Sequence, residues 1–538
     1  MKKAKTLFVL LCLILAICIE TGAQIKINTG AYLTINSGGY LLTDGDISIN
    51  NGGKMSLRGA ATVNGTLTNN AGIAGLVVES DASGTGSLIE SSGVNATVER
   101  FITQDTYHYI TPPVSGQDIS LLQQGTPHTE FDLFWYDEDL AAGPSWIDAS
   151  ALDGNLEVGL GYTYAYNPSD RTLEFQGTTN QGTITEPVTY TYNAGSSTSE
   201  WYFGWNLVGN PYPSRINAAT FIEDADNASL YGTLYFWDEG ITYLNGRNDY
   251  GTRNITGGIS GGGGKTPNGY MDVGQAFFVH YGSGIGQTSS TVSFKNNMRV
   301  HDEAVFFKNS DHWRFKISLE SEEGDYNETL IGFVPGCSEG FDNKFDGYKL
   351  KGNTQIALYT KLVEDDGNDY AIQALPSLTP EGTTVKLGLN AGKGGFYSLK
   401  VVSKENFNDT VAVYLEDTYQ NTFTNLHYTP EYHFSVEQAG DYNDRFYLHF
   451  GNYGVGVEEN EFENGFQIYP FYGDLIIENS KPGENIIAMI FDTGGRLLHS
   501  KKLNRDKRTE IKLNASTGIY LVKIVGRKQM FTTKVLIP

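Results

Sequence analysis

The amino-acid sequence predicts an all-β protein of several domains: a short N-terminal β-solenoid, two larger β-sandwich-like units and a small immunoglobulin-like sandwich at the C-terminus. Three observations predict this. The 538 residues include 63 glycines, 33 tyrosines and 28 phenylalanines, the balance of a chain made of strands and tight turns. Apolar and polar residues alternate in short runs punctuated by Gly, Asn, Asp and Pro, which is the period of a half-buried strand. No stretch carries the apolar spacing of an amphipathic helix of ordinary length. At roughly one domain per 150 residues, the length admits three or four.

The chain starts with Lys2, Lys3 and Lys5, an apolar run over 7–19, and Thr21-Gly22-Ala23. A basic start, a short apolar core and small residues at both positions that signal peptidase reads predict a leader over residues 1–23, cut between Ala23 and Gln24. A lipoprotein cut at Cys18 competes with this reading, but bulky Ile17 stands where that signal needs a small residue. The apolar run is too short to span a bilayer and no later stretch is longer, so no transmembrane helix is expected in the mature chain. Removal of Cys12 and Cys18 leaves Cys337 alone, so the mature chain forms no internal disulfide and is held by packing.

Residues 24–100 are poor in charge. Apolar pairs two apart recur at Ile25/Ile27, Leu33/Ile35, Ile47/Ile49 and Met55/Leu57, separated by Gly or Asn. Strands about eight residues apart with glycine corners predict coils of a short solenoid, with a row of ordinary hairpins as the alternative and the strand over 96–102 as a candidate cap. Residues 101–305 form an aromatic-rich β unit. Tyr162, Tyr164 and Tyr166 fall on one face of a strand. With Trp135, Tyr136 and Trp146 they are candidates for a face that stacks on sugars, set against the alternative that alternating aromatics are core. Residues 306–453 hold eight candidate strands, enough for a sandwich. Residues 454–465, with Glu458, Glu459, Glu461 and Glu463, are expected to be an exposed acidic linker.

Residues 466–538 hold seven short strands separated by turns at Gly473, Pro482-Gly483, Gly494-Gly495, Thr517-Gly518 and Gly526. This module carries twelve Lys/Arg against six Asp/Glu, whereas the whole chain has a net charge of −24. Without leader and module, the body stands at −32. Such a body repels nucleic acid and anionic lipid as direct partners.

Several motifs imitate chemistry. Gly258-Ile259-Ser260-Gly261-Gly262 has the pattern of a nucleophile elbow, yet glycines continue through Gly264, so no helix starts there and a loop is expected. Gly264-Lys265-Thr266 lacks the upstream glycine of a phosphate-binding loop, Ile259 standing in its place. Asp365-Asp366-Gly367-Asn368-Asp369 offers oxygen ligands for calcium without EF-hand spacing, and a hairpin tip accounts for it as well. His427 and His433 have no accompanying zinc motif. No cofactor, metal or catalytic residue is expected from these patterns, and a glycosidase pair of carboxylates cannot be picked out because such pairs come from distant strands.

Four pieces of the module resemble a known family: Ile468-Tyr469-Pro470 at its start, Asp492-Thr493-Gly494-Gly495-Arg496 in a hairpin, Gly518-Ile519-Tyr520-Leu521-Val522-Lys523-Ile524, and Lys534-Val535-Leu536-Ile537. Together they resemble the type A C-terminal sorting domain of the type IX secretion system of Bacteroidetes. Phe471-Tyr472 depart from the family's Tyr-Pro-Asn-Pro opening, which loosens the first turn. In the body, Gly204-Trp205-Asn206-Leu207-Val208-Gly209-Asn210-Pro211-Tyr212-Pro213-Ser214 and Gly274-Gln275-Ala276-Phe277-Phe278-Val279 resemble a module of large Bacteroidetes surface proteins that carries no assigned chemistry. The segment over 440–450 resembles the lead-in to such sorting domains.

The resemblance implies export through the periplasm to the cell surface or medium, with the secretion machinery and its sortase-like protease as partners and Tyr469, Pro470, Gly494, Gly495, Arg496, Gly518, Tyr520, Lys523 and Lys534 in the sorting motif. It also implies attachment of the body to lipopolysaccharide, or its release. The function expected is structural or adhesive, with a carbohydrate-binding or carbohydrate-degrading protein as the alternative.

Overall fold

A computed structural model describes residues 24–451 and 466–537, apart from 105, 123–130, 141–142, 150–153, 167, 194–197, 239–247, 263–264, 283–287, 302–311, 365, 408–410, 472–473, 480–485, 504–507, 514–517 and 527–529. The expected leader over 1–23 and linker over 454–465 lie outside the described residues. The protein is all-β. The α-helices among the described residues are the short Ile119–Leu122 and Ala218–Glu223, and no described helix is long and apolar enough to cross a membrane.

The eight-residue spacing near the N-terminus proves to be one side of a three-sided coil. Ile25–Ile27, Ile47–Ile49 and Leu67–Asn69 stack in parallel on one side. Tyr32–Ile35, Lys54–Leu57 and Leu76–Val78 form the second, and Tyr40–Thr43, Ala60–Val63 and Ser87–Ile89 the third. Parallel register in every pair excludes the row of hairpins, whose neighbours would run antiparallel. Asn50 donates to the Asn28 side chain one coil back, 22 residues away, at 2.8 Å. Inward residues such as Ile47, Met55, Leu57 and Leu76 are fully buried. Corners need glycine because stacked backbones leave no room: a Cβ on Gly59 would lie 2.3 Å from the carbonyl oxygen of Gly39.

The strand proposed as a cap, Asn95–Ile102, does more than close the solenoid. It adds to one solenoid face in parallel beside Leu76–Val78 and pairs along its whole length, antiparallel, with Arg171–Thr179. One hydrophobic core therefore runs from Ile27 to Phe175 and Val273. Arg299 ties the same regions together. Its buried guanidinium donates to the carbonyls of Leu88 and Glu90 and to Ser214, and lies 5.0 Å from the Tyr212 ring.

The aromatic-rich region contains a four-stranded sheet, His108–Ile110, Tyr162–Tyr166, Phe131–Asp137, Ser145–Asp148, and a five-stranded one, Trp205–Gly209, Ala276–Tyr281, Leu230–Asp238, Asp249–Arg253, Gly258–Ile259. The Asn-Pro-Tyr-Pro-Ser segment is a buried turn. Asn210 donates to the carbonyls of Ser214 and Met271 and accepts from the Tyr212 amide, while the Tyr212 hydroxyl donates to Gly182 at 2.6 Å. These polar groups are buried and need such partners, which gives the motif a structural explanation.

Residues 313–450 build an eleven-stranded sheet with Thr422–Asn425 and Glu431–Val436 at its ends. It folds over itself into two layers: Phe450 meets Phe315 and Phe333, and Phe434 meets Phe446, with ring centroids 4.7–5.3 Å apart. The C-terminal module is a seven-stranded sandwich. Phe466–Phe471, Asp474–Asn479 and Arg508–Ile511 form one sheet; Leu497–Leu503, Ile486–Phe491, Gly518–Val525 and Met530–Ile537 form the other. Its core includes Leu475, Ile477, Ile490, Val522, Ile524 and Ile537.

Candidate functional site: an aromatic cleft

Seven strands and the loops between them converge on a cleft of about 850 Å³. Alternation along each strand decides which rings face it. The hairpin of Phe131–Asp137 with Ser145–Asp148 puts Tyr136 opposite Trp146, their rings 5.3 Å apart. Pairing of Trp205–Gly209 with Ala276–Tyr281 sets Trp205 opposite His280 and Leu207 opposite Phe278. Phe278 meets Tyr136 edge to face at 5.0 Å. The short helical turn Glu200–Tyr202 brings Trp201 against Trp205 and Tyr348. Trp146 and Tyr202 are exposed, whereas Trp205 and Phe278 are buried beneath them. The result is an aromatic floor in which Tyr136, Trp146 and Phe278 brace one another and Trp201 braces Trp205 and Tyr348, with Tyr202 exposed at the rim.

Polar groups around the cleft are largely engaged. Tyr190 donates to Glu200 at 2.6 Å. Lys351 pairs with Asp369 at 2.7 Å, and the buried Lys349 pairs with Asp249 at 2.7 Å. Asp366 is pushed upward by burial, but hydrogen bonds from Tyr370 and Asn368 outweigh this and hold its carboxyl below the usual range. Burial depresses His280 to about 4, so the ring is neutral at neutral pH. Its Nε2 lies 3.1 Å from the Phe203 carbonyl, which requires the proton there and leaves Nδ1 a buried acceptor without a hydrogen-bond partner. The cleft thus presents flat apolar faces and hydroxyls, with the His280 acceptor buried behind them. Its acids are already bound, which suits holding a ligand better than transferring protons to it.

The six predicted stacking aromatics divide between the two readings. Tyr136 and Trp146 line the cleft. Tyr162 and Tyr164 are buried in the large core, and Trp135 and Tyr166 pack against it; Arg171 lies over the Tyr166 ring at 4.6 Å. Trp201, Trp205, Tyr231, Tyr250, Phe278 and His280 also line the cleft and were missed as site residues. The only sequence signal for them is the aromatic block over 201–205 and the two-residue spacing of Phe278 and His280.

The other singled-out residues do not converge on a site. Gly258–Ile259 is an edge strand of the five-stranded sheet, and the Ser260 amide donates to Glu328 at 2.7 Å; Gly263 and Gly264 lie outside the described residues. Asp365 does too, and Asp366 and Asp369 are engaged as above. His427 is exposed beside Tyr428, His433 lies beside Glu478, and no cluster of three metal-binding side chains occurs among the described residues. Burial pushes the Cys337 thiol up to about 12.

In the tail, Tyr469 is buried and donates to Glu478 at 2.7 Å, next to buried Pro470. Asp492 accepts from the amides of Gly494 and Arg496 and pairs with the Arg496 side chain at 3.0 Å, shaping a turn in which Gly495 has φ +80°. Gly518 opens a strand whose Tyr520 points inward, with Lys523 half-buried and Lys534 exposed on the neighbouring strand.

Residues 13–450 match the family described as Domain of unknown function (DUF8693). The chain belongs to that family. Residues 467–538 match the Secretion system C-terminal sorting domain, so this member of the family is a type IX secretion cargo, delivered out of the cell or to its surface. No curated protein matches it. Among solved structures, a biofilm associated protein, BSP domain, aligns over 86% of this chain and 99% of its own at 9% identity and a TM-score of 0.15.

Proposed function

We propose that the protein is a surface adhesin whose body binds carbohydrate in the aromatic cleft, while the C-terminal module serves only as its address. The observation that carries this reading is the cleft itself: Tyr136, Trp146, Trp201 and Tyr202 frame a space of about 850 Å³ with the size and lining of a small-ligand site. Aromatic faces pack against the apolar faces of pyranose rings, and the tyrosine hydroxyls at the cleft are suited to sugar hydroxyls. Lys349 and Lys351 are already paired with Asp249 and Asp369, and the body is strongly acidic, so neutral glycans fit better than sulfated or uronic ones.

In this account the leader is cut between Ala23 and Gln24, the module with its Tyr469-Pro470 and Gly518 to Lys534 strands engages the export machinery, and a sortase-like protease cuts within 454–465. The body then remains on the outer face of the cell, held by lipopolysaccharide, or is released. A glycan array probed with the mature chain should give binding concentrated on neutral glycans, at dissociation constants from about micromolar to millimolar. Binding to no neutral glycan would overturn the reading.

A further inference from the structure

The eleven-stranded sheet of the body ends at Glu431–Val436, and the outer edge of that strand is where the sorting domain sits. An exposed edge offers unpaired N–H and C=O groups to any passing strand. Here one side chain of the tail meets them. The His433 amide donates to Gln467 Oε1 at 3.0 Å, and Gln467 Nε2 donates to the His433 carbonyl at 2.5 Å. A carboxamide used in this way makes the same two bonds that an opposing residue makes in an antiparallel ladder. Two residues on, the Ser435 hydroxyl donates to the Pro470 carbonyl at 2.9 Å. Pro470 has no N–H to give, so this contact relies on a side chain where a ladder would use backbone.

The flanks of the contact are closed as well. Phe396, on the strand paired with Glu431–Val436, meets the Tyr469 ring edge to face at 6.2 Å. The Arg508 guanidinium lies over the Phe396 ring at 3.2 Å and also pairs with Glu322 of the body. His433 Nε2 is 3.2 Å from Glu478. Body and tail are also opposite in net charge, −32 and +6, which favours their association.

We propose that the body recognises its own sorting domain at this edge, so that the domain stays docked after the linker is cut and its departure opens Glu431–Val436 to strand pairing. Export and release are then separate events: cutting the chain removes the covalent tie, and breaking the Gln467 contact frees the edge. This inference does not depend on what the cleft binds.

The test uses the full mature chain with a protease site placed in 454–465. After cutting, tail and body should co-elute on size exclusion at micromolar concentration and low salt, and hydrogen exchange should show the His433 amide protected. Gln467→Ala should speed exchange at His433 about tenfold, and Gln467→Ala with Arg508→Ala should let the cut tail elute separately. Circular dichroism of each fraction reports whether it remains folded. Separation of a folded wild-type tail from a folded body at low salt would overturn the proposal, as would exchange at His433 in the uncut chain as fast as in Gln467→Ala.

Discussion

Buried polar side chains set much of this molecule's behaviour at the scale of single residues. Glu186 is buried near Glu157, and burial first, then that neighbouring charge, raises its carboxyl from 4.5 to about 8. The folded state therefore binds a proton that the unfolded chain has lost above its ordinary carboxyl range. The resulting stability is fully present below pH about 4.5 and is lost as pH rises through about 8. Glu186→Gln should flatten this part of the stability profile, gaining on the native chain between pH 5 and 8 in denaturant titrations. An unchanged profile would count against the burial argument. Arg299 acts in the opposite sense, satisfying the Leu88 and Glu90 carbonyls. Arg299→Ala should cost about 3 kcal/mol by leaving buried acceptors unpaired, seen as a lower midpoint of chemical unfolding; a change below about 0.5 kcal/mol would show that the solenoid and its neighbour do not depend on this tie. Sequence exposed the aromatic site only in part. Tyr162, Tyr164 and Tyr166 alternate as plainly as Tyr136 and Trp146 stand alone, yet the tyrosines are core, because alternation marks a face without saying what covers it.

Elements were legible where their partners are close in sequence. The solenoid coils pair residues about twenty apart, so the apolar pairs and glycines announce them. What spacing of eight could not convey is that three such intervals make a turn, a matter of parallel register between Ile25 and Ile47 or Leu33 and Met55. The seven tail strands were likewise readable, since hairpins join most of them. The body's long sheet was not, because Tyr326–Phe333 pairs in parallel with Tyr370–Leu375, across intervening strands, and only the tertiary fold chooses such partners. The final strand of the tail carries a prediction of its own. Met530–Ile537 pairs along all of Gly518–Val525 and brings Val535 and Ile537 into the core. Truncation after Val525 should strand the protein in the periplasm with its leader removed, as measured by protease shaving and fractionation; undiminished surface delivery would mean that the address lies elsewhere.

For the whole molecule, the two kinds of information separate cleanly. The address is local, carried by a self-contained module whose Tyr-Pro, Gly-Gly-Arg and Gly-x-Tyr pieces are contiguous in sequence, and it was recognisable from the residues. The cleft is assembled from Tyr136, Trp146, Trp201, Phe278 and Tyr348, which lie up to 212 residues apart in the chain, and no linear pattern gathers them. Adhesion through that cleft is the central claim, and it is tested most directly on cells. The measurement is attachment of cells displaying the native chain or the Trp146→Ala, Trp201→Ala double variant to a surface coated with the glycan that binds best, at equal surface density by protease shaving. Loss of two stacking faces should reduce attachment at least about tenfold, while equal attachment by the double variant would contradict the account.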